Sequence, residues 1–303
     1  MHTQPPDNFL GLEPEFSDPR TAAVRILPVP YEATTSYGGG TRNGPAAIIE
    51  ASRTVELYDH VDDSEPFRIG VATLPALALT GAGPEAAMRQ LRRAYAEAVG
   101  RGKFVIALGG EHTISSPPIL EWAARLRRMG RRLSVLQLDA HGDLRESWDG
   151  TPYSHACVMR RVADHVNLVQ VGIRAIAPEE RRLMRRRSDS ITTIFAEEMD
   201  GTEMWIDRAI EALGRDVYIT IDVDYFDPSL IPSTGTPEPG GGQWYPTLRL
   251  LERVFRQRRV VAADVVELAP APGLHAPDFV VAKLVYKLVA WYGKHRRGAR
   301  RKR

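Results

Sequence analysis

Leu133-Ser-Val-Leu-Gln-Leu-Asp139-Ala-His141-Gly-Asp143 joins a run that reads as a buried strand to a dense cluster of ligand-type side chains. A second stretch, Val217-Tyr-Ile-Thr-Ile-Asp222-Val-Asp224, repeats the arrangement. Side chains at alternate positions of an extended chain share a face, which would align Asp139 with His141 and Asp143, and Asp222 with Asp224. Carboxylates gathered without a cation raise one another's pKa, so a divalent metal is the natural counter-charge. Oxygen-rich donors with a minor share of imidazole suit manganese better than a softer metal. Either stretch alone also reads as a strand end running into a polar turn; the pair points to a two-metal site.

Working outward, apolar strand candidates alternate with amphipathic helix candidates. The strands are expected at 24–29, 104–108, 133–138, 166–172, 191–195, 217–221 and 260–266, and helices at 84–99, 117–129, 202–213 and 247–257. Proline in the first helical turn marks several of the starts. Strands rich in β-branched residues and lacking polar alternation predict a mainly parallel α/β sheet covered by helices on both faces. In such sheets ligands bind beyond the carboxyl ends of the strands. Gly109-Gly110-Glu111-His112, Asp139–Asp143, Asp222–Asp227 and Glu267 all follow expected strands, so four segments bring acids or histidines to one rim.

The 303 residues carry 43% hydrophobic and 26% charged side chains, ordinary values for a globular protein. Net charge is +2, but the final ten residues, KHRRGARRKR, hold seven of the 40 basic side chains. Residues 1–293 therefore read as one domain with more acidic than basic groups, and 294–303 as a flexible, solvated basic extension. Neither aromatic interleaving nor a recognition motif accompanies that end, so it does not argue for nucleic acid. The single cysteine, Cys157, excludes an internal disulfide framework and a cysteine-rich zinc site. Neither a secretory leader nor a bilayer-length apolar run is visible, which predicts a cytoplasmic protein without membrane contact.

The motifs GGEHTIS at 109–115, DAHGDLR at 139–145, SHA at 154–156, DVDYFDP at 222–228, STGTPEPGG at 233–241 and DVVEL at 264–268 resemble the ureohydrolase family of arginases and agmatinases. Thr35–Pro45 looks like that family's glycine-rich entry loop, and the likeness covers nearly the whole chain. It implies a three-layer α/β/α sandwich of the arginase/deacetylase kind and a centre of two Mn2+ ions. His112, Asp139, Asp143 and Asp222 would hold one ion, and Asp139, His141, Asp222 and Asp224 the other. The resemblance makes Glu267 the carboxylate that grips the guanidinium and Asp143 the group that also orients the nucleophile. His155 would shuttle protons to the leaving amine, and Thr236 would line the site. It also implies a homo-oligomer, a trimer or hexamer.

The departures from the pattern bear on the substrate. Glu111 stands where many relatives carry Asp, and Ser233 where many agmatinases carry Gly. Gly172-Ile-Arg174-Ala-Ile-Ala-Pro178 lacks the acids with which arginases recognise an α-amino group, and Leu144–Gly150 lacks their Asn- and Ser-rich carboxylate loop. Agmatine, cleaved to urea and putrescine, is therefore the leading expectation. Aminopropylagmatine is second, arginine is less favoured, and a catalytically silent metal-binding relative is the non-enzymatic alternative. Deacetylase chemistry is disfavoured because no His-His pair occurs. For the distal ammonium, Trp148 offers a cation–π face and Asp149 a carboxylate.

Overall fold

The computed structural model of the protein describes residues 6–100 and 102–300. Its frame is an eight-stranded sheet formed by β1 (Val24–Val29), β2 (Val71–Thr73), β3 (Phe104–Gly109), β4 (Leu133–Leu138), β5 (Val166–Ile173), β6 (Ile191–Phe195), β7 (Asp216–Asp222) and β8 (Arg259–Val266). The strand order is β2-β1-β3-β8-β7-β4-β5-β6, and every pairing is parallel. Seven strands coincide with the apolar runs read from sequence. The eighth, β2, has only three residues at the sheet edge and leaves no periodic signal.

Alternation along the strands builds two separate cores. Val24 and Ile26 of β1, with Phe104, Ile106 and Leu108 of β3, pack on one face, while Leu27, Val29, Val105 and Ala107 pack on the other. Helices cover both faces because their apolar stripes match. In the helix Pro84–Val99, Ala87, Met88, Leu91, Tyr95 and Ala98 are buried at three- and four-residue spacings. Proline opens this helix, and Gly100 at φ 47° ends it. Each fully buried large aliphatic side chain contributes about 1.5–3 kcal/mol.

The last helix runs Ala276–Arg300. Lys294 Nζ lies 2.6 Å from Asp62 Oδ1 and 3.3 Å from Glu252 Oε1, so the first residue of the basic stretch 294–303 is tied to the body. Residues 301–303 lie outside the described residues. No described helix is long and apolar enough to cross a membrane.

Parallel pairing puts the carboxyl ends of all strands on one edge. There, β3, β8, β7 and β4 are consecutive neighbours at the sheet centre. The loops beyond them are gathered by Arg174, whose guanidinium donates to the carbonyls of Gly172 (3.1 Å), Asp224 (2.7 Å), Tyr225 (3.3 Å), Glu238 (2.9 Å) and Pro239 (3.0 Å). Replacing Arg174 by Met leaves these carbonyls without their cationic donor. The variant should lose about 2–3 kcal/mol of unfolding free energy in denaturant titrations. Stability equal to that of the parent would show that the clamp is dispensable.

Candidate metal centre

Each polar cluster begins where its strand stops. Leu138 of β4 pairs with Ile221 of β7, so Asp139 and Asp222 emerge side by side. Leu108 of β3 pairs with Val265 of β8, which sets Glu267 beside the 110–112 turn. Glu267 N donates to Gly110 O (2.8 Å), and His112 N donates to Glu267 Oε1 (2.6 Å). Gly110 has a steric reason to lack a side chain, because a Cβ there would sit 1.9 Å from the Tyr31 carbonyl oxygen.

The convergence does not follow the alternation expected of extended strands. β4 ends at Leu138, and Asp143 has a left-handed backbone, φ 52°. Asp222 closes β7, and Val223–Tyr225 then turns as a short 3-10 helix in which Asp222 Oδ1 accepts from Asp224 N (3.0 Å). Turns, not pleats, aim these carboxylates at a common point.

Two groups of donor atoms result, each within 4.8 Å: His112, Asp139 and Asp143, and Asp139, His141 and Asp224. They share Asp139. His112 Nδ1 is 3.1 Å from Asp139 Oδ2, 2.9 Å from Asp143 Oδ2 and 3.4 Å from Asp222 Oδ2. His141 Nδ1 is 2.8 Å from Asp224 Oδ2 and 3.7 Å from Asp139 Oδ1. The six residues expected to hold metal are thus brought together.

His112 supplies the test of whether they suit a cation. Its Nε2 lies 2.9 Å from Thr220 Oγ1, and that hydroxyl gives its proton to Asp264 Oδ1 at 2.6 Å. Thr220 therefore accepts from Nε2–H, which leaves a lone pair on Nδ1. Nδ1 is buried, and no acceptor stands in hydrogen-bond direction from it, although three carboxylates crowd it. The Nδ1 lone pair and the three carboxylates around it make a donor set that a divalent cation would suit. The donor set fits divalent metal.

Electrostatics agree. Burial opposes charge on His112, yet Asp139, Asp143 and Asp222 outweigh it and raise its pKa well above the ordinary value. Burial likewise opposes charge on His141, but Asp224 and Asp139 raise its pKa to about 12. Burial and the neighbouring Asp139 charge push Asp143 up to about 7. Asp222 is raised well above the carboxylate range by burial and by Asp224 and Asp139. Each of these shifts favours a bound proton where no cation is present.

A cleft over these groups is lined by Thr35–Gly38, His155, Thr234–Thr236 and Glu267 together with His112, His141, Asp143, Asp222 and Asp224. Glu267 has φ 66°, and burial raises its carboxyl well above the usual range. His155 opens the 3-10 turn His155–Cys157, and burial lowers its pKa. Trp148 and Asp149 do not line the cleft. Trp148 closes a short hairpin with Thr151, and its ring already carries the Arg145 guanidinium at 4.6 Å. Asp149 is the exposed tip of that hairpin, φ 47°. Sequence reasoning also missed Thr234, whose buried Oγ1 has no hydrogen-bond partner.

A second set of polar residues supports the donors. Gln137 Nε2 donates to Asp139 Oδ2 (2.8 Å), Gln170 Nε2 to Gln137 Oε1 (2.7 Å), and Thr193 Oγ1 to Gln170 Oε1 (3.2 Å). Tyr218 OH donates to Asp264 Oδ2 at 2.6 Å. The available signal was a polar side chain at an interior position of an apolar strand.

The sequence model of the Arginase family matches residues 22–290. The chain is 39% identical over 302 residues to the N(1)-aminopropylagmatine ureohydrolase of Synechocystis sp., covering 97% of both chains. It is 37% identical to the protein of that name from Thermus thermophilus, covering 90% of this chain and 91% of that one. The crystal structure of agmatine ureohydrolase of Thermoplasma volcanium superposes with a TM-score of 0.84 at 26% identity, over 97% of this chain and 96% of that one.

Because the metal-free donors favour bound protons, divalent cations and protons should compete. Manganese titrated into chelator-treated protein should bind more tightly at pH 8 than at pH 6 and release protons, as read by calorimetry in buffers of different ionisation heat. Affinity independent of pH over that range would contradict this picture of the site.

Proposed function

The chain belongs to the arginase family, and on that premise we propose that it is a binuclear-manganese hydrolase releasing urea from a decarboxylated guanidino amine. Water adds to the guanidinium carbon, the bond from that carbon to the alkyl-bearing nitrogen breaks, and urea and a primary ammonium leave. The observation that carries the reading is the Glu267 carboxylate in the same cleft as the two His/Asp donor groups.

His112, Asp139, Asp143 and Asp222 would hold one ion, and Asp139, His141, Asp222 and Asp224 the other. Bound there, two divalent cations lower the pKa of a water so that it can attack near neutral pH. The donors are carboxylate oxygens and imidazole without thiolate, which favours manganese. Glu267 Oε1 is anchored by His112 N, and the carboxylate, which lines the cleft, would pair with the guanidinium and orient its carbon. Asp143 would accept a hydrogen bond from the attacking water. His155 would hand a proton to the departing nitrogen. Thr236, with Thr234 beside it, would line the wall along the alkyl chain.

The loop after β5 also favours an amine over an amino acid. Ala175, Ile176 and Ala177 offer no charge, and the Arg174 guanidinium is consumed by main-chain carbonyls. The identity to proteins named aminopropylagmatine ureohydrolase puts N1-aminopropylagmatine first among substrates and agmatine second, the reverse of the order expected from sequence. On the family resemblance we also place the enzyme in the cytoplasm as a homo-oligomer, a trimer or hexamer.

Urea release from N1-aminopropylagmatine, agmatine, arginine and a guanidino acid, measured on manganese-loaded protein, tests this. One of the two amines should exceed arginine by about a hundredfold or more in kcat/KM, because a site without polar partners gains nothing from the α-amino and α-carboxylate groups. Turnover of arginine or the guanidino acid with neither amine cleaved would overturn it. Glu267→Gln should cost about a hundredfold or more in kcat/KM while retaining two metals per chain by mass spectrometry.

A further inference from the structure

His155 is held by hydroxyl groups on both ring nitrogens, and two of them come from one loop. Thr34 Oγ1 lies 3.3 Å from Nδ1, and Ser36 Oγ lies 2.9 Å from Nε2. Ser154 Oγ is a further 3.3 Å neighbour of Nδ1, and the His155 backbone N–H donates to Thr34 Oγ1 at 3.3 Å. The loop is pinned beneath. The fully buried Glu111 accepts from Ala33 N (2.8 Å) and Thr34 N (2.7 Å) through Oε2, and from Thr34 Oγ1 (2.8 Å) and Thr113 Oγ1 (2.8 Å) through Oε1.

The hydroxyls have one proton each, so their directions can be counted. Thr34 spends its proton on Glu111, an acceptor-only carboxylate when ionised. It therefore faces His155 Nδ1 with a lone pair, which favours a hydrogen on Nδ1, with Ser154 Oγ as a second acceptor beside it. At the other end Trp148 Nε1, a donor only, gives its proton to Ser36 Oγ at 3.1 Å. The Ser36 proton is then free to point at His155 Nε2. Every donor in the series Trp148, Ser36, His155, Thr34, Glu111 runs the same way, from an indole that can only give to a carboxylate that can only take.

We propose that Thr34 and Glu111, with Ser36 and Trp148 as the opposite end of the series, are positioning residues that hold His155 as the Nδ1–H tautomer, its Nε2 lone pair directed at the Ser36 hydroxyl in the cleft wall. This deepens the assignment of His155 as the residue that passes a proton to the departing amine, and it rests on that assignment: Nε2 first takes up a proton released by the attacking water on its lone pair and then hands it to the departing nitrogen. The entry loop at 34–36 thus belongs to the proton-transfer apparatus as well as to the wall of the cleft. Trp148, not a lining residue, acts through its N–H and not through its ring face. Glu111 adjoins a metal donor in sequence, but its carboxylate serves the loop.

The test combines a spectroscopic and a kinetic arm. Zinc-loaded protein, which lacks the paramagnetic broadening of manganese, is labelled with 15N-histidine, and the His155 tautomer is read from ring nitrogen shifts. The parent should show Nδ1–H, and Thr34→Ala should shift the ring toward Nε2–H. In manganese-loaded protein, Thr34→Ala should lower kcat about 10–100-fold with KM within about twofold, the range that fixing a ring orientation commonly carries. Thr34→Ser should restore both readings, and Trp148→Phe, which keeps the ring and removes the N–H, should lower kcat without changing metal content. A parent ring in the Nε2–H form, or kcat unchanged in Thr34→Ala, or failure of Thr34→Ser to restore it, would overturn the proposal. If the parent cleaves no guanidine yet shows the Nδ1–H tautomer that Thr34→Ala abolishes, the proposed function fails while the positioning of His155 stands.

Discussion

Mutual repulsion among Asp139, Asp143, Asp222 and Asp224 sets the terms for the rest of the molecule. Two carboxylates about 4 Å apart at an effective dielectric of about 20 repel by roughly 4 kcal/mol, and several such pairs together rival the net stability of a domain, about 5–15 kcal/mol. The main chain offsets part of this. Asp139 accepts from His141 N (2.6 Å), Asp222 from Asp224 N (3.0 Å), and Asp224 from Ala140 N (3.0 Å). Each bond stabilises the ionised form and fixes the carboxylate in place before any cation arrives. The remaining charge is what a pair of divalent ions neutralises, so metal affinity and folding stability draw on one electrostatic imbalance.

Such fixity demands a stiff support, and the sheet centre provides it. The four strands that carry the site are neighbours, buried on both faces and flanked by further strands. Polar side chains within those strands extend the support laterally. Thr193, Gln170 and Gln137 pass hydrogen bonds across β6, β5 and β4 to Asp139, while Tyr218 and Thr220 converge on Asp264 between β7 and β8. A buried carboxylate such as Asp264, raised in pKa by its burial, is costly unless it does structural or chemical service. Here it fixes which nitrogen of His112 faces the metal site.

The strand ends were legible because apolar runs that stop abruptly at Asp or His leave a strong imprint. The arginase-family likeness was legible because six short motifs occur in a fixed order. The geometry between motifs was not. Asp143 and Glu267 adopt left-handed backbones that no residue preference announces, and Asp222 and Asp224 meet through a 3-10 turn that the alternation argument replaced with a pleat. Long-range partners were equally hidden. Nothing local says that Ser36 reaches Trp148 across 112 positions, or that Glu111 serves residues 33 and 34 and not the metals. Trp148 seemed free to bind an ammonium because its covering Arg145 could not be seen from residue type alone.

Arg174 grips carbonyl oxygens and no side-chain group of the loops it gathers. Carbonyls are present whatever residue occupies a position. The segment at 238–239 can therefore exchange side chains without loosening its attachment to the sheet. A loop secured in this manner is open to mutational drift, while the donor cluster is not. Within one scaffold, the guanidine that is accepted and the chemistry applied to it can evolve at different rates.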